Sequence, residues 1–383
     1  AQSLVQVKWT LTPPRSGDVL LYFKTGREVI APFFEPEEFR VLDVRESEVN
    51  IFIALKCLAQ RDLSAENYAR NYIRAVDPKL IVTFIDNFPP IYLLKDEFPK
   101  ITVWLIQNGH RSNRGDLFGL LSSEKDGQAN KVDVMFVFGK AVGEMYRQFI
   151  SGELVFLGSL KNNMAKCSNC HDGSIAYIST YRPNQARDFV VPDSEPGRPV
   201  TYETIIRRRE QAILWLAEYC KMHNRKMVVI GKDENPDLEQ AYYRQLLHSF
   251  AFEFVGKSSS SSSYEVIDKS EIVVFTSSTL GYESLARGKK TAALMLDAEA
   301  IGTMALRFGW PKELPSDGAF WTNRLDEDRF TEILDYLRTT TNEEWRDTCS
   351  ATMHDIIEFN PDNTRFVEKV LEMRKSGRLQ TKS

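Results

Sequence analysis

The chain has 383 residues, of which 43% are hydrophobic and 27% are charged, a composition typical of folded globular proteins. Its 49 basic and 53 acidic residues give a net charge of −4, without the basic excess of a general nucleic-acid binder. No apolar run reaches the roughly 18 residues that span a bilayer. The first residues do not resemble a signal peptide, and five cysteines fit a reducing compartment. We therefore expect a cytoplasmic protein of two domains, with no nucleic-acid partner and at most peripheral association with the plasma membrane.

Short apolar runs alternate with amphipathic stretches in the first part of the chain. This alternation is typical of a mostly parallel sheet whose strands are joined by helices and covered on both faces. The predicted strands are Val19–Phe23, Leu80–Ile85, Ile101–Ile106, Val132–Phe138 and Leu154–Leu157, and the predicted helices are Glu48–Ala59, Ala65–Ala75 and Lys140–Ile150.

The polar stretch from Lys161 to Ser174 has no periodicity, and we interpret it as the connection between the domains. Cys167, Cys170 and His171 have the C-x-x-C-H spacing of a covalent haem site, but no second axial ligand is evident, so we interpret the motif as incidental. The alternation then resumes. The predicted strands are Ile175–Ser179, Met227–Ile230, Ile272–Phe275 and Thr291–Leu296, and the predicted helices are Tyr202–His223, Leu238–Phe250 and Leu280–Arg287.

The strongest functional signal lies between residues 271 and 289, where a strand, a hydroxyl-rich turn and a helix follow one another. Ser278 or Thr279 is suited to cap the helix, and the free N–H groups of a helix start favour an anion. Gly281 would permit close approach, and Glu283, one turn in, could accept hydrogen bonds from ribose. An ordinary capped strand–helix unit has the same pattern. The predicted binding residues of this segment are Ser277, Ser278, Thr279, Gly281, Tyr282 and Glu283.

The full string of this segment resembles the donor-site signature of GT-B glycosyltransferases that build bacterial surface polysaccharides. It is similar to the Thr-Ser-x-x-Gly-[Phe/Tyr]-Glu-x-Leu-x-x-Gly element of capsule Kdo transferases, and Phe308-Gly309-Trp310-Pro311 is similar to a Gly-Trp segment of the same relatives. The resemblance implies that the helix start holds donor phosphates and that the acid holds the nucleotide sugar.

The resemblance and the repeated alternation together predict the fold class, which is α/β. We expect two Rossmann-like domains with mostly parallel sheets, in a GT-B arrangement with a cleft between them. Residues 1–160 would form an N-terminal acceptor domain and residues 175–355 a C-terminal nucleotide-sugar donor domain. Residues 356–383 would form a C-terminal helix that crosses back to the first domain.

Other candidates follow predicted strands at the carboxyl edge, where open α/β sheets bind ligands. Lys232 could neutralise donor phosphate and Ser179 could meet the donor, although a surface loop explains Ser179 equally well. In the first half, Asp86 is the predicted general base and His110 its alternative, or a ligand of the leaving phosphate. A turn-forming cap is the structural alternative for Asp86. The predicted acceptor or cleft residues are Asn87, Gln107, Asn108 and Arg111.

The chain departs from capsule Kdo transferases at two places. Gln107-Asn108-Gly109 stands where those enzymes have Glu-Asp-Gly, and Lys232-Asp233-Glu234 stands near their His-Pro-Asp element. We therefore carry over the fold and the donor pocket, but not the sugar or the mechanism.

The sequence lacks a P-loop, a dinucleotide fingerprint, a nucleophile elbow, an H-E-x-x-H helix and a D-x-D pair in the context of metal-dependent transferases. We expect neither a cofactor nor an obligatory metal; the nucleotide sugar, for which a CMP-sugar is a candidate, is a co-substrate. The leading hypothesis is sugar transfer to a growing surface glycan or lipid-linked glycan of lipopolysaccharide or capsule type. The alternatives are a GT-B-fold nucleotide-sugar epimerase, a polyol-phosphate transferase and an inactive binding module.

Overall fold

A computed structural model describes residues 8–43, 48–111, 116–123, 130–168, 171–183, 185–192, 194, 197–233, 235–259 and 261–380. The strands are β1 (Lys8–Thr10), β2 (Val19–Tyr22), β3 (Phe39–Leu42), β4 (Glu48–Asn50), β5 (Leu80–Thr83), β6 (Thr102–Ile106), β7 (Lys131–Val137), β8 (Ser151–Phe156), β9 (Ile175–Ile178), β10 (Met227–Ile230), β11 (Glu253–Val255), β12 (Ile272–Phe275), β13 (Lys290–Leu294), β14 (Asp317–Gly318) and β15 (Trp321–Thr322). The α-helices are α1 (Arg27–Ile30), α2 (Ile51–Ala59), α3 (Ala65–Val76), α4 (Leu94–Glu97), α5 (Leu117–Ser123), α6 (Lys140–Arg147), α7 (Leu160–Met164), α8 (Tyr202–Met222), α9 (Pro236–Leu246), α10 (Ser262–Lys269), α11 (Thr279–Ala286), α12 (Leu296–Ile301), α13 (Glu327–Thr339), α14 (Asn342–Met353) and α15 (Thr364–Lys375).

Six strands of the first half form a parallel sheet in the order β3-β2-β5-β6-β7-β8. The central strands β2, β5 and β6 are buried at every position. Apolar runs of this kind are stable only when helices cover both faces of the sheet. The parallel order brings the carboxyl ends of β5 and β6 to one edge, beside each other.

A second sheet of seven strands lies between residues 175 and 322, in the order β11-β10-β9-β12-β13-β15-β14. It is parallel except for the β14–β15 pair. Strands β10 and β12 lie on opposite sides of β9, so the strand order reverses there. In open sheets of this type the crevice beyond such a reversal binds ligands.

The last helix, α15, packs on the first sheet. The Phe366 ring is buried against the rings of Trp104, Phe136 and Phe33, with centroids 5.6, 4.9 and 4.8 Å away. Arg374 forms a buried ion pair with Glu38 at 2.5 Å. Between the sheets, α7 occupies part of the stretch for which no periodicity was found. Within the described part of the chain, no helix combines the length and the apolar character needed to cross a membrane.

The structure differs from the sequence predictions at several boundaries. Residues Glu48–Asn50 pair with β1 as a short strand rather than opening the helix, because Asn50 caps α2 through the N–H groups of Phe52 and Ile53. The edge strands β3 and β11 were not predicted; both are short, and each contains one charged residue. Of the C-x-x-C-H motif, Cys167 is exposed with a free thiol, whereas Cys170 lies outside the described residues.

Candidate functional site

A cavity of about 400 Å³ lies between the carboxyl edges of the two sheets. Five of the predicted site residues line it: His110 from the first half, and Lys232, Ser277, Ser278 and Thr279 from the second. The other lining residues are Asp116, Arg182, Thr276, Met295, Asp297 and Leu306. Loops from both halves therefore meet at one concave site.

The start of α11 forms one wall of this cavity. Ser278 is the helix cap, since its Oγ accepts from the N–H of Leu280 at 3.2 Å. Thr279 Oγ1 accepts from the backbone N–H of His110 at 3.0 Å, which links the wall to the opposite domain. The free N–H groups of this helix start and the helix dipole favour an anion here.

Gly281 and Tyr282 have packing roles that differ from the predicted donor contact. A Cβ atom on Gly281 would overlap the Phe275 ring, so the glycine allows α11 to lie close against β12. Tyr282 is buried, and its ring stacks between His110, with centroids 4.8 Å apart, and Phe308, with centroids 5.6 Å apart. Its hydroxyl accepts from the N–H of Gly309 at 3.2 Å. Tyr282 therefore packs against the imidazole of His110, which lines the cavity.

Glu283 lies in the contact between the domains rather than at the cavity wall. Its carboxylate accepts from the hydroxyls of Ser159 and Tyr264, the latter at 2.9 Å. Burial raises the pKa of Glu283, while these hydrogen bonds and the charge of Lys161 act in the opposite direction. The prediction that Glu283 reaches ribose is not supported by this position, because both carboxylate oxygens already have protein partners.

Two cations face the cavity from the second domain. Lys232 follows β10 and is solvent-accessible, yet desolvation by the surrounding protein lowers its pKa to about 8, with smaller contributions from Arg182 and Arg209. Arg182, in the loop after β9, is exposed and lines the same cavity. A bound anion would offset the smaller part of this shift, which comes from the repulsion between Lys232 and the two guanidinium groups.

Ser179 is buried and does not face the cavity. Its hydroxyl donates to Glu239 and lies 2.9 Å from the hydroxyl of Tyr243. The buried Glu239 carboxylate also accepts from the N–H groups of Lys232 and Asp233, each at 3.0 Å. Ser179 therefore helps to shape the loop that carries Lys232; the predicted donor contact is corrected to this indirect role. The neighbouring Glu234 lies outside the described residues.

Asp86 is fully buried and already saturated with donors. Arg111 reaches it with Nε at 2.5 Å and with Nη2, Tyr146 donates its hydroxyl, and the N–H of Asn108 lies 3.2 Å away. Burial raises the pKa of Tyr146 well above its ordinary value, and the charge of Asp86 adds to this. Asp86 also does not line the cavity, so an acceptor hydroxyl there could not reach its carboxylate. The prediction of Asp86 as general base is therefore corrected to a structural ion pair with Arg111.

The residues around this ion pair build the loop after β6. Gln107 is buried; its Oε1 accepts from the N–H of Phe138 at 2.8 Å and its Nε2 donates to the carbonyl of Gly109 at 2.9 Å. Arg111 is also buried, and Asn87 is exposed. Gln107 and Arg111 thus position the loop and are not placed to hold an acceptor. The predicted meeting of the β5 and β6 ends does occur, through Asp86.

His110 lies in this loop, and it lines the cavity. Desolvation, and secondarily the charge of Arg111, lowers its pKa to about 4. The imidazole is therefore neutral at physiological pH and can both donate and accept a hydrogen bond.

Two further carboxylates line the cavity, and neither was predicted. Asp116 is one-fifth exposed, with a side-chain accessibility of 19%, and lies 3.6 Å from Nη1 of Arg111. Asp297 is held by Arg209 through Nη2 and through Nε at 3.2 Å. Asp86 and Asp297 are each held by two nitrogens of one guanidinium group. Among the described residues, no three His, Cys, Asp or Glu side chains are grouped to hold a metal ion.

The family of this chain follows from a sequence comparison. A family model described as "putative O-antigen biosynthesis protein" matches residues 104–374, which is more than half of the chain. The chain belongs to this family. It is therefore a protein of surface-glycan biosynthesis. Comparison with functionally curated proteins gives no significant match.

Solved structures with the same architecture cover almost the whole chain. MnaA from S. aureus, solved with UDP, is 13% identical over 96% of this chain and 99% of that chain, with a TM-score of 0.52. The UDP-GlcNAc 2-epimerase of Methanocaldococcus jannaschii, solved with UDP-GlcNAc and UDP, is 10% identical over 92% and 99% of the two chains, with a TM-score of 0.51. The wall teichoic acid polymerase TagF is 11% identical over 99% and 92%, with a TM-score of 0.51. These likenesses establish the fold, which is GT-B.

In this member of the O-antigen family, sequence reasoning missed two carboxylates of the cavity, and the signal in the sequence was usable for Asp297 but not for Asp116. Asp297 follows β13 in the way that Lys232 follows β10, so the strand-end argument also applies to it. Asp116 lies just beyond the polar stretch after β6, one residue before α5. Its position at the cavity depends on the path of that loop, which local sequence does not determine.

Proposed function

We propose that this chain is a glycosyltransferase that moves a sugar from a nucleotide-sugar donor to a growing bacterial surface glycan of the O-antigen type, at the inner face of the plasma membrane. The observation that carries this proposal is the chemical asymmetry of the 400 Å³ cavity. One wall offers a helix start and two cations, which suit phosphates. The other wall offers Asp116 and His110, which suit a hydroxyl that must lose a proton.

Donor phosphates would bind at the start of α11. The backbone N–H groups after Ser278 supply hydrogen bonds, and Lys232 and Arg182 supply positive charge on the same side of the cavity. These groups would also stabilise the negative charge that develops on the phosphate as it leaves the sugar. The fold relatives solved with UDP or UDP-GlcNAc support a nucleotide-sugar ligand of this class. A CMP-sugar remains among the candidate donors.

The reaction would proceed by attack of an acceptor hydroxyl on the anomeric carbon. A new carbon–oxygen bond forms to the acceptor, the bond to the donor phosphate breaks, and its electron pair goes to the phosphate. The hydroxyl proton passes to a base on the acceptor side of the cavity. We assign this role to Asp116, because it is a partly exposed carboxylate that lines the cavity, whereas Asp86 is fully buried against Arg111. His110 would instead hydrogen-bond the acceptor or the leaving phosphate.

A nucleotide panel followed by a transfer assay tests the proposal. Binding to the folded state raises the melting temperature, so CMP, CDP, UDP and GDP are ranked by thermal shift. The matching nucleotide sugars are then incubated with and without a lipid-linked or soluble glycan acceptor. We expect nucleotide release that depends on the acceptor, with the sugar recovered on the glycan.

Two other results would contradict the proposal. Conversion of the nucleotide sugar into its epimer without acceptor would identify an epimerase, which the fold also accommodates. Binding without any turnover across the donor and acceptor panels would identify a binding module. Asp116→Asn should remove transfer while keeping the nucleotide thermal shift, and Asp188→Asn, an exposed acid in the loop after β9, is the matched control.

A further inference from the structure

Glu239 is a buried acid that belongs to no ion pair in the described part of the chain. It lies in the first turn of α9 and is inaccessible to solvent. Its carboxylate accepts from neutral groups, which are the hydroxyl of Ser179 and the N–H groups of Lys232 and Asp233. Removal of an unpaired carboxylate from water is costly, so a charge kept at such a position is a candidate for a functional role.

The carboxylate of Glu239 fixes the loop that follows β10. Strand β10 ends at Ile230, and the N–H groups of Lys232 and Asp233 each donate to Oε2 of Glu239 at 3.0 Å. Gly231 brings the backbone close enough for these bonds, since a Cβ atom at this residue would lie 2.9 Å from the same oxygen. Lys232 therefore leaves the loop at a defined place, and it lines the cavity of about 400 Å³.

Lys232 lies among charges that come from several elements. Desolvation makes the largest contribution to its lowered pKa, and the charges of Arg182, in the loop after β9, and of Arg209, in α8, act in the same direction. The negative charges of Glu239 and Asp233 oppose this lowering, and the contribution of Glu239 is the larger of the two. The other titratable residues that line the cavity are His110, Asp116 and Asp297.

Of the nearby acids, Glu239 is best placed to balance the charge of Lys232. Asp116 and Asp297 each have an arginine partner, and Asp233 is partly exposed, so that solvent screens its charge. Glu239 is buried, and it has no ion-pair partner among the described residues, so its charge acts through protein rather than through water. A bound phosphate would supply negative charge from the cavity side, which leaves Glu239 as the counter-charge of the empty site.

We propose that Glu239 is the positioning residue of the donor phosphate site: its carboxylate fixes the loop that carries Lys232, and its charge balances that of the Lys232 amine while the donor is absent. This inference rests on the proposed function, in which Lys232 contacts donor phosphate. Glu239 itself touches no ligand, since it is buried behind the loop and does not line the cavity. It acts on the donor only through Lys232.

Calorimetric titration over a range of pH tests the inference. The probe is whichever of CMP, CDP, UDP and GDP gives the largest thermal shift. In the unmodified chain its affinity should fall about tenfold from pH 7 to pH 9, because the pKa of Lys232 is lowered to about 8. Glu239→Gln keeps the shape of the side chain but removes the charge, so the pKa of Lys232 should drop further. A drop of about 0.5 unit would make the fall about 25-fold. The fall is compared, and not the affinity itself, because loss of a negative charge also weakens the repulsion of phosphate.

Asp237→Asn is the matched control, because Asp237 is an exposed acid in the same first turn of α9. The fall should stay about tenfold in this variant, since solvent screens the exposed charge. In Lys232→Arg, whose side chain stays charged, addition of Glu239→Gln should leave the affinity level from pH 7 to pH 9. An unchanged fall in Glu239→Gln, or an equal increase in Asp237→Asn, would overturn the inference and leave the phosphate contact intact. A level affinity in the unmodified chain, or no binding of any of the four nucleotides, would contradict the donor site of the proposed function, and the inference with it.

Glu239→Asp tests the positioning of the loop, and it does not depend on the folding of Glu239→Gln. Aspartate keeps the charge, but its side chain is shorter by a methylene group and cannot hold both N–H groups of the loop. The affinity at pH 7 should be weaker by roughly threefold or more, the factor expected for loss of a hydrogen bond, while the fall to pH 9 should stay about tenfold. An unchanged affinity at pH 7 would overturn the assignment of Glu239 as the residue that positions Lys232.

Discussion

Substitution of Asp86 by asparagine separates a structural ion pair from a catalytic base. Asparagine keeps the shape of the side chain but replaces one acceptor oxygen with an NH₂ group. The carboxylate now accepts four hydrogen bonds, from Arg111 twice, from Tyr146 and from the N–H of Asn108. In the variant, the amide NH₂ group would face other hydrogen-bond donors, and the buried guanidinium of Arg111 would lose its counter-ion.

The expected loss of stability follows from the burial of both partners. Asp86 is fully buried and the Arg111 side chain is 10% accessible, so solvent cannot replace the missing carboxylate. Breaking such a buried pair from one side destabilises a protein by about 3–5 kcal/mol. For a domain of this size each kcal/mol lowers the melting temperature by roughly 2–4 °C, so the shift should be about 6–20 °C.

Thermal unfolding followed by circular dichroism measures the shift. Asp116→Asn is the paired variant: its side chain is 19% accessible, so we expect a smaller loss of stability than for the fully buried Asp86. Its transfer rate should fall about 10²–10⁴-fold, the usual contribution of a general base. Arg111→Met combined with Asp86→Asn should recover part of the lost stability, because no unpaired charge remains.

The opposite pattern would refute this reasoning. If Asp86→Asn melts within 2 °C of the unmodified chain but loses turnover by about the factor of a general base, Asp86 is the catalytic residue. In that case the ion pair seen with Arg111 would have to open during the reaction.

Three further variants test the other assignments. Since the pKa of Lys232 is lowered to about 8, its amine is mostly charged at pH 7 and mostly neutral at pH 9. Calorimetry should therefore show that the affinity for a nucleoside diphosphate falls about tenfold from pH 7 to pH 9. In the Lys232→Arg variant, whose side chain stays charged, the affinity should be the same at both pH values. A constant affinity in the unmodified chain would exclude a phosphate contact. The pKa of Glu283 is raised above 4.5, so its contribution to stability is largest at low pH and is lost as pH rises through the pKa of the folded state. Urea unfolding of Glu283→Gln should show a smaller loss of stability with rising pH. An unchanged pH dependence would contradict the raised pKa of this buried carboxyl group. Gly281→Ala should lose about 1–3 kcal/mol in the same assay because of overlap with Phe275, and a stable variant would mean that α11 can move away from β12.

The architecture was predictable because its signals are local. Runs such as Val-Leu-Leu-Tyr in β2 and Ile-Val-Val-Phe in β12 are fully buried strands, and a strand of this kind is visible in four consecutive residues. The Ser278 cap and the helix after it follow from a hydroxyl residue before an apolar periodic segment. The edge strand β3 was not predicted, since Arg40 interrupts its apolar run and it is paired on one side.

From the sequence, the position of the site could be predicted only as far as the sheet edge on which it lies. The strand-end argument placed His110, Lys232 and the start of α11 together, and the cavity contains all three. It could not tell which carboxylates are held by buried partners, because those partners are distant in sequence. Tyr146 is 60 residues from Asp86, and Ser159 is 124 residues from Glu283. Whether an acid serves catalysis or structure is decided by such long-range contacts.

The domains are in contact around His110, which we call the front of the cleft, and around Arg287, which we call the back, and these contacts differ in strength. At the back, Arg287 donates to the carbonyls of Asn162 and Ala165, at 3.1 and 3.0 Å, while Asp268 holds its guanidinium at 2.6 Å. The side-chain amide of Asn162 donates to the carbonyl of Glu283 at 3.2 Å.

At the front, the N–H of His110 donates to Thr279, and the imidazole stacks on Tyr282. A neutral hydrogen bond contributes about 0.5–1.5 kcal/mol, whereas bonds from a charged group contribute about 1.5–3 kcal/mol each. Separation of the domains should therefore begin at the front and turn about the Arg287 contacts.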